Sequence, residues 1–324
     1  MKNHHKSFFL LLIVITASIS IFAAFRSQSL LTSRTDSEFR EDAQSLTSKF
    51  IEKMEEYNSL LYSGRALVTS TGDVSQTEWN QFFKNQATID RYQGVSSIFY
   101  LEVFDKSSRA EFENRLRKEE YFGEDFSVKE STTNLSDKYA VASLVYSNND
   151  VSSGFGFDNF STTERVETYS KAEKLNAPTA SEPIELATDF LGFFIALPVY
   201  KNDKTVDGFV AVSFRAEDLM KKVWERDGYT NINQTVDDVT DAGKPIRLFG
   251  EDSPNNSDDL ISYTSEINVA QRKWRVVVSS ERLYRYERLN RLLPLIIVGL
   301  GLATVAFLST YHTSSKRKKI IRDL

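Results

Sequence analysis

Histidine and cysteine, the side chains most often used for metal binding and nucleophilic chemistry, are missing from the long middle of this chain. There is no cysteine, and the three histidines are His4, His5 and His312. His/Cys zinc sites, Ser-His-Asp hydrolysis and thiol chemistry are therefore excluded from that region. What remains are carboxylates, which glycosidases use in pairs, and one mid-chain stretch, "GFGFDNFSTTERVETYSKAEKLN", residues 154–176. Its glycine-spaced aromatics lead to Asp158, and Ser161 with Glu164 then opens a helix-forming segment. Asp158 has three readings: a turn residue, a helix-entry residue that accepts backbone N–H bonds, or the polar anchor of a ligand pocket. The residues alone leave all three open. Arg165 reads as a surface ion pair on its helix beside Glu164 and Glu167. Tyr146, Phe193 and Phe194 read as core.

Gly154-Phe-Gly156 is not a nucleotide fingerprint, because the third glycine is missing and no phosphate-binding lysine follows. Asn-x-Ser/Thr triplets at Asn134, Asn159, Asn233 and Asn255 would matter only in a glycosylating host.

The elements that must position these residues lie between two apolar runs, Phe8–Phe25 and Leu292–Tyr311, each free of charge and close to the ~20 residues that span a bilayer as helix. The first exceeds the ~7 to 15 residues of a secretory h-region and reads as an uncleaved anchor, with a cleaved signal as the alternative. Lys2 and Lys6 precede it, and Lys316, Arg317, Lys318, Lys319 and Arg322 follow the second run, which places both termini in the cytoplasm. Arg282, Arg285, Arg288 and Arg291 flank the other side, but Glu281 and Glu287 interleave with them and the first segment dominates. Seven of the 40 basic residues and one of the 45 acidic ones lie in the two terminal flanks, so the portion between them is acidic by 11 charges. Such a surface disfavours nucleic acid and anionic lipid. Without disulfides this portion must be held by its core, which its length allows.

After the first run, Phe39, Ala43, Leu46, Phe50, Met54, Tyr57 and Leu61 recur every three or four residues, one apolar stripe on a long stalk helix that packs either on its own domain or on a second copy. Gly72-Asp73 ends it. Ser75-x-x-Glu78 and Ser108-x-x-Glu111 are capping boxes for two short helices, reaching Lys84 and about Glu120. Strands are expected over 92–104, 138–147, 192–202 and 207–215, with a helix from Thr162 to about Leu175 between the second and third, stopped at Asn176. A short helix "AEDLMKKVW" follows, then four more strands, "TVDDVTD", "PIRLF", "LISYTSEINV" and "KWRVVVSS".

The order of a membrane run, a long helix, "YQGVSSIFYLEVF", Arg109-Ala-Glu-Phe112, Gly156-x-Asp158, Arg165 with Ala172 seven residues on, Pro198-Val-Tyr200, Gly208 and a second membrane run resembles the CHASE domain. These are extracytoplasmic sensor modules of histidine kinases, cyclases and related receptors. The resemblance covers about residues 40–290, with two departures: Val166 stands where a second basic residue is common, and Asn176 where Gly is usual.

It implies an α+β fold, a stalk helix followed by two PAS-like antiparallel-sheet subdomains, with flanking transmembrane helices. The boundaries expected are a cytoplasmic N-terminus (1–7), a transmembrane helix (8–25), the stalk (26–72) and a membrane-distal ligand-binding subdomain (73–227). A membrane-proximal subdomain (228–281), a juxtamembrane helix (282–291), a transmembrane helix (292–311) and a cytoplasmic tail (312–324) complete the chain. By resemblance to the plant cytokinin-receptor branch, Asp158 would hydrogen-bond a small organic ligand and Tyr146 would close the pocket. Ala180 would offer backbone groups, and Thr188 would lie near the ligand or its waters. No enzymatic activity, metal or cofactor is implied. A homodimer in the inner membrane is, and so is a signalling partner, since only thirteen residues follow Tyr311: the chain is either cut from a longer receptor or signals through another protein. Two other readings are an envelope enzyme using paired carboxylates, and a ligand-free structural module with its pocket filled by its own side chains.

Overall fold

The structure is a computed structural model that describes residues 2–86, 91–92, 94–129, 136–147, 154–186, 190–201, 205–225, 232–252, 260–281 and 288–322. The chain falls into two compact units, one holding residues 1–43, 255–261 and 280–324, the other 44–254 and 262–279.

In the first unit, helix α1 (Lys2–Thr71) begins with one apolar run and the last helix, which carries Pro294, spans Arg288–Arg322 with the other. Both are long and apolar enough to cross a membrane. A Cβ on Gly301 would stand 2.1 Å from Ser20 Oγ, so the backbones of the two helices approach closely at that level. Of the expected juxtamembrane helix, residues 282–287 lie outside the described residues and 288–291 are helical.

The second unit is built on two antiparallel sheets of α+β class. The larger uses β1 (Val95–Asp105), β2 (Lys138–Ser147), β3 (Thr179–Ala180), β4 (Ile184–Glu185), β5 (Leu191–Lys201) and β6 (Thr205–Arg215). They run in the order β2-β1-β6-β5-β3, with β4 also on β5. The smaller has β7 (Ile232–Asp238), β8 (Ile246–Phe249), β9 (Leu260–Val269) and β10 (Arg272–Glu281) in the order β8-β7-β10-β9. The point near 228 where the sequence suggests a split lies outside the described residues, and the two sheets fall on either side of it.

The stripe on α1 is buried within the chain: Leu46, Phe50, Met54, Tyr57 and Leu61 are all core. Of the two readings of the stalk helix, packing on its own domain is the one observed. Tyr57 meets Phe214 of β6 at 5.2 Å, and Gly64 stays inside the helix because any Cβ there would lie 2.8 Å from Val210 Cγ1. Helix α2 (Gln76–Asn85) starts at the expected capping box, with Ser75 N donating to Glu78 Oε2 at 2.9 Å and Glu78 N to Ser75 Oγ at 3.2 Å.

The second box fails. Ser108 makes no cap hydrogen bond, because a 3₁₀ turn over Lys106–Ser108 leads directly into α3 (Arg109–Leu116), which stops a turn short of Glu120. Here the charged residues act across the loop that follows. Glu113 Oε1 accepts from Val128 N at 2.9 Å and from Arg109 at 2.7 Å, Glu113 Oε2 accepts from Arg117 at 3.1 Å, and the two arginines donate to the carbonyls of Val128 and Phe126. One face of a two-turn helix thereby clips residues 118–129 in place. Under that clip Phe112, Leu116, Phe122, Phe126, Val128, Tyr139, Val141 and Val145 form an apolar cluster.

The sheets meet through Trp274 of β10, whose ring packs on Phe193 of β5 at 4.9 Å and on Phe50 of α1 at 6.1 Å.

Candidate ligand-binding site

The stretch from Gly154 to Arg165 crosses the loop clipped by α3, and backbone geometry dictates its sequence. Gly156 has φ +73°, and a Cβ there would sit 1.9 Å from the Ser127 carbonyl oxygen, so only glycine serves. At this crossing Lys129 N donates to Gly156 O at 2.7 Å. Two residues later the Asp158 carboxylate, 1% exposed, accepts from Ala140 N at 3.1 Å and from Phe160 N at 3.0 Å through Oδ1. Asp158 thus ties the turn to β2. The paired Gly156-x-Asp158 is a backbone motif in which each residue serves the crossing.

Helix α4 (Thr163–Leu175) follows, and its N-cap is Thr162, which makes no side-chain cap bond. The expected cap by Ser161 and Glu164 is therefore not what starts it: Ser161 N instead donates to Asp158 O at 3.1 Å, drawing Ser161 into the turn. Its stop is as expected, with Asn176 at φ 46° and ψ 44°, the left-handed conformation that Asn accepts best after Gly.

Between this segment and the large sheet lies a cavity of about 520 Å³. The period-2 alternation of β1 sends Ser97, Phe99 and Leu101 to it. Ala142 and Val145 of β2, Phe194 of β5, Ser213 of β6 and Ile184 to Leu186 around β4 complete the sheet side, and Phe155, Phe157, Asn159, Thr162, Glu164 and Arg165 the other. The walls are mainly aromatic and aliphatic, with a few polar groups, as in small-molecule sites.

Those polar groups are unequal. Ser97 and Ser213 face each other across β1 and β6 with hydroxyls 2.6 Å apart. Glu164 and Glu185 are exposed at the rim. Arg165 lies inside: its guanidinium donates to Asn159 Oδ1 at 2.9 Å and stands over the rings of Phe157 at 4.9 Å and Phe194 at 5.4 Å. Tyr169 shares the same Asn159 oxygen at 3.2 Å. No carboxylate among the described residues forms an ion pair with Arg165. Burial lowers its affinity for a proton below the ordinary arginine value, against the opposing pull of Tyr169 and Glu164. The surface ion pair read from the sequence is overturned, because the side chain turns inward onto two rings.

Of the four ligand-contacting residues that the resemblance implies, the three described ones, Asp158, Tyr146 and Ala180, do not line this cavity. Asp158 precedes the lining Asn159 but spends Oδ1 on backbone amides. Tyr146, half-buried on β2, packs on Phe83 of α2 at 5.8 Å. Ala180 lies on β3, where its N–H donates to Ala270 O at 2.8 Å. Thr188 lies outside the described residues. Asn159 and Arg165 are polar lining groups to which the sequence reading assigns no ligand role. The available signal was a cation seven residues past Asp158 with phenylalanines on both sides of the turn.

With the geometry in view, the comparisons are these. The CHASE domain family model matches residues 72–249. None of the curated proteins matches the chain. Among solved structures, the extracellular ligand binding receptor from Desulfohalobium retbaense DSM5692 aligns with 78% of the chain at 10% identity and a TM-score of 0.44, and the chain spans 40% of that receptor. The periplasmic sensory domain of the Campylobacter jejuni chemoreceptor Tlp1 aligns with 80% of the chain and 96% of its own length at 13% identity, TM-score 0.41. The ligand binding domain of the Pseudomonas aeruginosa PAO1 amino acid chemoreceptor PctB, in complex with L-Gln, aligns with 80% and 97% at 12% identity, TM-score 0.45. The family match runs over more than half of the sequence and takes in the Gly156-x-Asp158 crossing, Arg165 and all six strands of the large sheet: the chain belongs to the CHASE domain family, a family of sensor domains.

Proposed function

We propose that this CHASE sensor binds a small organic molecule in the cavity between the large sheet and the Gly154–Arg165 segment, and transmits occupancy through α1 and the last helix across a bacterial inner membrane. The single observation that carries the reading is the cavity itself: about 520 Å³, apolar-walled, with a few inward polar groups. Asn159 and Arg165 contact the ligand in this proposal. Asp158 acts one step back, as the residue that positions both. Tyr146 and Ala180 support the walls from β2 and β3. Both termini are cytoplasmic, two copies act together, and a cytoplasmic output partner, in the same or another chain, reads the change. Coupling requires that the ligand bind two arrangements of the helices with different affinity.

Two carboxylates, Glu164 and Glu185, do share the cavity. An envelope hydrolase would need one of them held protonated by an apolar surrounding. Both are exposed to solvent, which favours the sensor reading.

The test is Ala142→Trp, which fills the cavity from β2. Calorimetric titration of the full chain in nanodiscs with a metabolite library identifies binders of the unmodified protein, and the Trp variant is expected to lose them while keeping its thermal midpoint within a few degrees. Binders that Ala142→Trp leaves untouched would move the site elsewhere.

A further inference from the structure

We infer that the ligand of this cavity carries a carboxylate, received by Arg165, on a small apolar or aromatic body. This rests on the cavity being the ligand site and goes beyond it by naming the ligand's chemistry.

Three observations converge. The first is a half-buried cation without an ion pair among the described residues: Arg165 lines the cavity and donates to the neutral Asn159 at 2.9 Å, with Glu164 acting on it only from the exposed rim. A guanidinium withdrawn from water is costly unless an anion or full hydrogen bonding compensates it, and its planar fork matches a carboxylate. The second is preorganisation. Asn159 holds one guanidinium nitrogen at 2.9 Å while Phe157 and Phe194 cover the charge, so little side-chain freedom is left to lose on binding. The third is the remainder of the lining. Phe99, Leu101, Val145, Phe155 and Leu186 offer a body of matching polarity, and the Ser97–Ser213 hydroxyls one hydrogen-bonding spot. Glu164 and Glu185 at the rim repel multiply charged anions, which selects a monocarboxylate or a zwitterion.

Calorimetry of the full chain in nanodiscs at pH 7 tests this with three probes of one shape: 3-phenylpropanoate, 3-phenylpropanamide and L-phenylalanine. The carboxylates are expected to bind about 10- to 100-fold more tightly than the amide, the gain of one charge-assisted hydrogen-bonded pair. Arg165→Gln is expected to erase that ratio, and Arg165→Lys, which keeps the charge without the fork, to retain part of it with the fold intact. Equal or tighter binding of the amide overturns the inference, as does the absence of heat from all three probes. If a neutral compound alone binds and Ala142→Trp abolishes it, the carboxylate falls while the cavity reading survives. If carboxylate binding persists undiminished in Ala142→Trp, both fall.

Discussion

The N–H of Ala180, on the edge strand β3 of the large sheet, donates to the carbonyl of Ala270 at the tip of the β9–β10 hairpin over 2.8 Å. Lys171 Nζ reaches the carbonyl of the next residue, Gln271, at 3.1 Å. The tip is held by backbone groups while its own backbone is strained: Ala270 has φ 43° and Gln271 φ 71°, a conformation that two-residue hairpins normally give to Asn-Gly.

Replacing the pair by Asn-Gly is therefore expected to stabilise the protein by about 1–2 kcal/mol, since left-handed backbone costs ordinary residues roughly that much. Thermal or chaotrope unfolding of Ala270→Asn/Gln271→Gly measures it. No gain would mean that the two carbonyl bonds depend on the native side chains.

For Asp158 the structure separates two roles that the sequence left side by side. Asp158→Ala strips one buried amide, Ala140 N, and one half-buried amide, Phe160 N, of their acceptor, and is expected to cost about 2–3 kcal/mol. Asp158→Asn keeps an oxygen at Oδ1 and is expected to cost less than half of that. If Asp158→Ala unfolds at the same chaotrope concentration as the parent chain, the carboxylate is not what holds the turn.

Gly156→Ala meets two obstacles at once: a positive φ and a carbonyl oxygen 1.9 Å from the new Cβ. Strain alone is worth about 1–3 kcal/mol, and the clash pushes the 154–165 segment off the Ser127 backbone. The expected result is a protein with a lower unfolding midpoint and weakened ligand binding. A Gly156→Ala variant as stable as its parent would show that this crossing relaxes freely.

Acid should loosen the clip on residues 118–129. Burial by itself would raise the Glu113 carboxyl, but hydrogen bonds from Arg109 and Val128 N–H and the charges of Arg109 and Arg117 outweigh it and hold it below the ordinary value of 4.5. A depressed carboxyl contributes its full stability above about pH 4.5 and loses it as pH falls through the lower folded value. Glu113→Gln is expected to cost about 1.5–3 kcal/mol at pH 7 and to flatten the fall in stability below pH 4.5. A variant whose stability still drops as steeply in acid would place the titrating group elsewhere.

Much of this architecture is legible before any coordinates. The apolar stripe from Leu46 to Leu61 announces α1 because one face of a helix must meet a core, and β2 and β9 coincide with the runs that composition marks. Family order supplied the two sheets. The two-residue strands β3 and β4 were missed because pairing with β5, not local propensity, makes them. Ser108-x-x-Glu111 satisfied a motif whose geometry a 3₁₀ turn then pre-empted. At the site, the family resemblance points to Asp158, whose Oδ1 accepts from two backbone amides, while the cavity lining takes in its neighbours Asn159 and Arg165. Asp158 stands out as the lone carboxylate of an aromatic turn, yet which way a side chain points depends on a backbone crossing with Ser127 and Ala140, residues distant in sequence. Arg165 looked like a surface charge because Glu164 and Glu167 are its neighbours along the chain, whereas in space its neighbours are Phe157 and Phe194.

The chain has only three tryptophans, and all three are buried at junctions: Trp79 behind the large sheet against Phe83, Trp224 between Phe50 and Phe249, and Trp274 between Phe50 and Phe193. The indole N–H of Trp274 also donates to Asp238 at 3.2 Å. Trp274 is thus a built-in optical reporter at the place where β5 of the large sheet and α1 share one aromatic neighbour. The emission of Trp274 alone, isolated by Trp79→Phe and Trp224→Phe, would register whether β5 shifts against α1 when the cavity fills, with no label attached.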